Sequence, residues 1–247
     1  MKPGIAVRIV VLVLLVAFLV TPQSFAFVFA PLTQNGQPPI YTQNSLLNLT
    51  LNHLLIVLIA TLAASIVAVG LAIVVTRPAG AEFLPLSRML SNTGQTFPPV
   101  AVLALAVPVL GFGTAPTLVA LFLYGLLPIF ENALTGLTTI PPDIEEAARG
   151  TGMTEWQRLV QIELPLALPL ILAGLRLSVT ISIGTATIGS TVAASTLGEA
   201  IIAGLINSNL AFVAQGGLVV GILAILIYDG LRALERQLAA RSGLRVR

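Results

Sequence analysis

Residues 50–75 read TLNHLLIVLIATLAASIVAVGLAIVV, an unbroken run without Asp, Glu, Lys or Arg. A helix crosses the hydrocarbon layer of a bilayer with about 20 mainly apolar residues, so this segment is long enough to span. It is apolar on every side of a helical wheel, which fits a span better than an amphipathic surface helix. Outward from it, the stretches 9–76, 89–130, 177–198 and 200–228 also carry no charge. The first holds two crossings, separated by the polar, proline-rich PLTQNGQPP at 31–39. The second holds two, split by GFGTAP at 111–116. Spans are expected near 5–29, 50–75, 95–111, 116–132, 165–190 and 211–229. The fold class is an all-α integral membrane protein with about six transmembrane helices.

Composition agrees. The 247 residues are 56% hydrophobic and 9% charged, with a mean hydropathy of +0.99. A soluble domain carries about 25% charged residues. Cysteine is absent, which excludes disulfides, thiol nucleophiles and cysteine metal sites. His53 is the one histidine, so no multi-histidine metal site or histidine relay is available, and no cofactor is expected. Lys2 is the one lysine, which excludes a phosphate loop of the G-x-x-x-x-G-K-[ST] kind.

The net charge of +2 reflects topology rather than nucleic-acid binding. With the N-terminus inside, Lys2, Arg8, Arg77, Arg88, Arg149, Arg158, Arg232, Arg236, Arg241, Arg245 and Arg247 all fall in inner segments. The outer segments 30–49, 111–116 and 191–210 hold no cation and one acid, Glu199. Cations concentrate on the cytoplasmic side, which puts both termini in the cytoplasm. The start has a second reading: Lys2 and Arg8, an apolar run and Ser24-Phe25-Ala26 also fit a cleaved signal peptide. The expected domains are 1–49 (first helix and outer loop), 50–229 (five-helix core) and 230–247 (basic tail).

The longest inner loop, TIPPDIEEAARGTGMTEWQRLVQIELP at 139–165, reads as two short helices around a glycine turn. Pro141 and Pro142 suit a first turn, where a missing N–H costs nothing. Asp143, Glu145 and Glu146 favour the positive end of that helix. Gly150 and Gly152 can take the left-handed conformation that ends it. Thr154 and Gln157 have capping-box spacing for the second helix. On spacing alone the loop is a solvated connection with two caps.

This loop resembles the cytoplasmic signature loop of binding-protein-dependent ABC importer permeases: E-A-A, three residues, G, nine residues, I-x-L-P. Here Glu146, Ala147, Ala148, Gly152, Ile162, Leu164 and Pro165 meet both spacings. Leu127-Pro128-Ile129, Leu168-Pro169 through Gly174-Leu-Arg176, Gly184-Thr-Ala-Thr187 and Asn52-His53-Leu54 resemble the branch that carries glycine betaine, choline or carnitine. Where that family often reads G-A-G-G-L-G, residues 193–198 read AASTLG.

The resemblance implies a type I importer permease in the cell inner membrane. Its partners are cytoplasmic ABC ATPase subunits, a second permease subunit (identical or not), an extracytoplasmic substrate-binding protein and lipid. It also implies that the helix around Glu146–Gly152 sits in an ATPase groove and passes movement to the spans. The chain would be a transport subunit and not an enzyme. Gly152 would act sterically, a side chain filling the turn.

Other residues are weaker candidates. Asn132, Arg176, Thr185 and Thr187 are possible members of the translocation path. The bland reading of Arg176 is snorkelling to the interface. His53 reads as a packing histidine, Glu199 as a solvated acid, and Glu131 and Asp229 as acids at inner helix ends. Trp156, the one tryptophan, falls in the loop, where it can pack on the ATPase. No cluster of aromatics for caging a quaternary amine is evident in the sequence at the bilayer middle, so selection is expected to rest with the binding protein. A different small solute, such as an amino acid, is the alternative cargo. An ATP-independent secondary transporter is a further one, but the spans hold almost no ionisable groups for ion coupling. A membrane scaffold would not need the loop spacing.

Overall fold

The computed structural model describes residues 3–34 and 36–241, so Lys2, Arg245 and Arg247 lie outside the described residues, as does the side chain of Arg241. The described residues are helical and contain no strand. In order they are α1 (Pro3–Val20), α2 (Ala26–Phe29), α3 (Leu46–Val75), α4 (Leu84–Thr96), α5 (Pro99–Leu110) and α6 (Thr114–Thr138). Then follow α7 (Pro142–Gly150), α8 (Glu155–Arg158), α9 (Leu164–Thr185), α10 (Gly198–Ile206) and α11 (Leu210–Arg241). Among the described residues four stretches are long and apolar enough to cross a membrane: Leu46–Val75, Thr114–Thr138, Glu155–Val192 and Leu210–Leu238. Two broken pairs, Ala6–Val20 with Pro22–Leu32 and Ala81–Thr96 with Pro99–Leu110, bring the number up to six.

The broken pairs depart from the expected boundaries. The first span does not run straight to residue 29, because the chain bends by 114° after Val20. Pro22 starts a new turn there, and the Thr21 hydroxyl donates to the Ala17 carbonyl, closing α1. The third span is not one helix over 95–111. Phe97 precedes Pro98 and Pro99, and a residue before proline is pushed out of the α region; Phe97 and Pro98 are extended, with ψ of 139° and 141°. Helix α4 fills much of the expected inner loop. Helix α10 occupies part of the expected outer loop, and α11 continues through most of the expected tail. The fifth span tightens into a 3₁₀ turn over Ala186–Val192.

The chain divides into two compact units, each with its own apolar core. The first comprises 1–59, 98–121 and 182–227. Its core joins Leu15, Phe18 and Phe29 to Ile40, Tyr41, Leu49, Leu197, Phe212 and Val219. Tyr41 and Phe212 meet edge to face at 5.4 Å, a preferred aromatic geometry.

The second unit comprises 60–97, 122–181 and 228–247. Its core is built on a stripe of Ala64, Ala68 and Ala72 of α3 against Ile129, Phe130 and Ala133 of α6 and Ala167 of α9. On α3 the alanines are inside, while Leu62 and Ile66 are 53% and 75% exposed. Such an inside-out helix suits lipid, where large apolar side chains gain nothing by turning inward and small ones let backbones approach. Gly174 marks a close approach of α9 to α6: a Cβ there would lie 2.6 Å from the Pro128 carbonyl oxygen.

Candidate functional site

The signature loop forms an elbow whose two bends are both capped. Helix α7 starts at Pro142 with Asp143 and Glu145 in its first turn. Glu145 pairs with Arg149 one turn on, at 3.5 Å. It ends in a Schellman motif: the Gly152 N–H donates to Arg149 O at 2.9 Å and the Met153 N–H to Ala148 O at 3.3 Å. Gly152 has φ of +81°, whereas Gly150 remains helical. An added Cβ at Gly152 would meet no heavy atom within 4 Å. The expected steric role is therefore corrected. The turn requires a left-handed backbone, which costs an L-residue about 1–2 kcal/mol, and space is not limiting.

The second bend has the expected capping box. The Gln157 N–H donates to Thr154 Oγ1 at 3.2 Å and the Thr154 N–H to Gln157 Oε1 at 2.9 Å. Helix α8 lasts four residues and passes into a π-helical turn, Leu159–Glu163, before α9. Of the signature residues, Ala148 is buried, Ile162 and Leu164 are half-buried, and Glu146, Ala147, Gly152 and Pro165 are exposed. Among the described residues the Glu146 side chain makes no hydrogen bond or ion pair. Trp156 is 71% exposed.

One residue of the signature had no assigned role: Glu163, at the unspecified position between Ile162 and Leu164. It is 7% exposed, and both its oxygens accept from Arg77, through Nη1 at 3.2 Å and through Nη2. That hydrogen bond holds the guanidinium above its ordinary pKa. Arg77, Glu145, Arg149, Glu155, Arg158 and Glu163 line one polar cavity of about 630 Å³. The only sequence signal for the pair is a carboxylate at an otherwise apolar helix start. Its partner lies 86 residues away, beyond any local pattern.

The four path candidates are not brought into one unit. Asn132 is half-buried and donates its amide to Pro128 O at 2.8 Å. Arg176 does not snorkel freely: it lies 3.4 Å from Glu235 and its guanidinium sits 4.7 Å above the Tyr228 ring. Both belong to the second unit, and Thr185 and Thr187 belong to the first. The Thr187 hydroxyl donates to Gly184 O. His53 is fully buried, with Nε2 2.9 Å from Ile183 O and Nδ1 accepting from the Leu197 N–H at 3.4 Å. That is a packing role, as expected. Glu199 is not a solvated acid: it is half-buried and accepts from the Tyr41 hydroxyl at 2.7 Å. Glu131 pairs with Arg88 at 3.1 Å. Among the described residues no group of acids and histidine could hold a metal ion.

Comparison with known proteins adds to this geometry. Residues 68–240 match the family described as binding-protein-dependent transport system inner membrane component. The chain is 39% identical over 197 residues to the osmoprotectant import permease protein OsmY of Salmonella typhimurium, covering 80% of this chain and 84% of that one. It is 38% identical over 196 residues to the glycine betaine/carnitine/choline transport system permease protein OpuCB of Bacillus subtilis, covering 79% and 89%. Among solved structures it is similar to the inward-facing MetNI methionine ABC transporter, with a TM-score of 0.70, 22% identity, and coverage of 78% of this chain and 95% of that one. It is also similar to an amino acid ABC transporter, with a TM-score of 0.65, 16% identity, and coverage of 85% and 96%.

Proposed function

The chain belongs to the family of binding-protein-dependent transport system inner membrane components, and from that premise we propose that it is the permease of an ATP-driven importer of small osmoprotectants such as glycine betaine, choline or carnitine. The observation that carries the coupling role is the doubly capped elbow. Helix α7 is closed at its C-terminal end and the turn after it is held by the α8 capping box, yet Glu146 and Ala147 are exposed and the Glu146 side chain has no partner of its own. A short stiff helix with an exposed face suits a groove in a partner protein. The partner is a separate cytoplasmic ATPase. ATP-driven closure of the ATPase pair moves the elbow, and Ile162, Leu164 and Pro165 carry that movement into α9. The spans then alternate between outward- and inward-open states.

In this reading the elbow and both termini face the cytoplasm. A second permease subunit completes the path, and a binding protein delivers the solute. Asn132, Arg176, Thr185 and Thr187 remain candidates for the path. The cargo rests on the named relatives, one named for osmoprotectant import and the other for glycine betaine, carnitine and choline transport.

The test is purification of the chain with its ATPase and measurement of ATP hydrolysis on adding binding protein loaded with glycine betaine, choline, carnitine or an amino acid. Stimulation by the quaternary amines is expected. Stimulation by the amino acid alone would overturn the cargo, and no association with an ATPase would overturn the coupling role.

A further inference from the structure

The Arg77–Glu163 pair lies outside the exposed face of α7, and the signature spacing does not specify it. Its geometry is unusual for an interface charge. Arg77 follows the end of α3 and is held there by α3 itself, through Nε to Ile73 O at 3.4 Å and Nη2 to Thr76 Oγ1 at 3.4 Å. The same guanidinium grips Glu163 with two nitrogens on two oxygens. A two-pronged arginine–carboxylate contact fixes direction as well as distance, which a point charge cannot do.

Glu163 closes the π-helical turn between the elbow and α9, and such turns occur mostly as single insertions, often at functional sites. The side chains of the pair are 25% and 9% exposed, and both residues line the 630 Å³ polar cavity. Apolar packing does not fill the space beside them. The fork is a direct tie there between the end of α3 and the elbow side of α9.

We propose that Arg77 and Glu163 form a second coupling joint, which passes displacement of the elbow to α3 as well as along α9. The inference rests on the reading of the elbow as an ATPase-coupled element. In it Arg77 and Glu163 are positioning residues that touch neither solute nor nucleotide. The joint matters because α3 supplies the alanine stripe on which α6 packs. A pull on the Arg77 end of α3 therefore reaches α6 by a second route, beside the packing of α9 on α6.

The test uses the complete complex in vesicles, with the binding protein loaded with glycine betaine. Arg77→Ala and Glu163→Gln are expected to assemble with the ATPase and hydrolyse ATP at the unstimulated wild-type rate. Stimulation by loaded binding protein is expected to fall about tenfold, within the usual range of coupling energies. Arg77→Lys, which keeps the charge and loses the fork, is expected to be intermediate, and the reversal R77E/E163R to recover most of the stimulation. An unstimulated wild type would refute the elbow reading itself. Full stimulation in both single variants beside a stimulated wild type would overturn the joint alone. Failure of every variant to assemble, the reversal included, would make the pair a folding element and also overturn the joint.

Discussion

The outer-loop side of the first unit and the elbow of the second hold their chains by opposite means. In the first unit, the loop around Gln37–Tyr41 is stitched down by neutral groups. Gln215, fully buried, accepts from the Tyr41 N–H and donates to Pro39 O and Ala211 O, at 2.8–3.1 Å. Asn209 donates to Pro38 O and Gln37 to Asn207 O. In the second unit the elbow is held by a charged fork beside a polar cavity. Buried neutral networks are rigid when every member is satisfied. An ion pair beside water tolerates displacement, because its groups can be rehydrated. The contrast suggests a fixed clamp in one unit and a moving joint in the other.

The largest effect should come from breaking the clamp. Gln215→Leu leaves the Tyr41 N–H and Pro39 O buried without partners, at about 1–3 kcal/mol for each. The melting temperature in detergent is expected to fall by several degrees, with unchanged stimulation in whatever fraction stays folded. A loss of stimulation at unchanged melting temperature would erase the contrast.

The elbow comes next. Gly152→Val places a β-branched residue at φ +81°, costing about 2 kcal/mol of local strain, and is expected to uncouple hydrolysis from uptake. Gly152→Asn, which tolerates that conformation, is expected to stay coupled. Equal behaviour of the two in a stimulated ATPase assay would show that backbone handedness is not the requirement.

Tyr41 sharpens the clamp further. Burial first, and then the Glu199 carboxylate, push its phenol above the ordinary value near 10. The folded state thus retains a proton that the unfolded state loses, so this stability is complete below about pH 10 and declines above it. Tyr41→Phe removes that decline, at a cost of about 1 kcal/mol at neutral pH. Parallel melting curves from pH 9 to 11 for the two proteins would contradict the pairing.

The smallest stability change belongs to Trp156→Ala. The side chain is 71% exposed, so stability should move by less than about 0.5 kcal/mol, while ATPase affinity, read by titration, is expected to weaken. Unchanged affinity would remove Trp156 from the ATPase contact.

Local features were legible in the sequence and distant ones were not. The length of α3 follows from its uncharged run, and the Thr154–Gln157 box from two residues three apart. The break at Phe97–Pro98 was written in the prolines, but apolar composition made the segment look continuous. Helix α10, nine residues long, is too short and too apolar to separate from a loop by periodicity. The left-handed turn at Gly152 was legible in the glycine itself, whereas the open space around it was not, since crowding depends on neighbours that the sequence does not place. The Arg77–Glu163 fork and the Tyr41–Glu199 bond join residues 86 and 158 positions apart, and only the packed helices bring them together.

The most direct measurement is glycine betaine uptake by sealed vesicles holding this chain, its ATPase and its binding protein, with and without internal ATP. Uptake that needs ATP and is abolished when the ATPase is omitted is the predicted result. Accumulation by vesicles containing the chain alone would contradict a gate driven through its elbow.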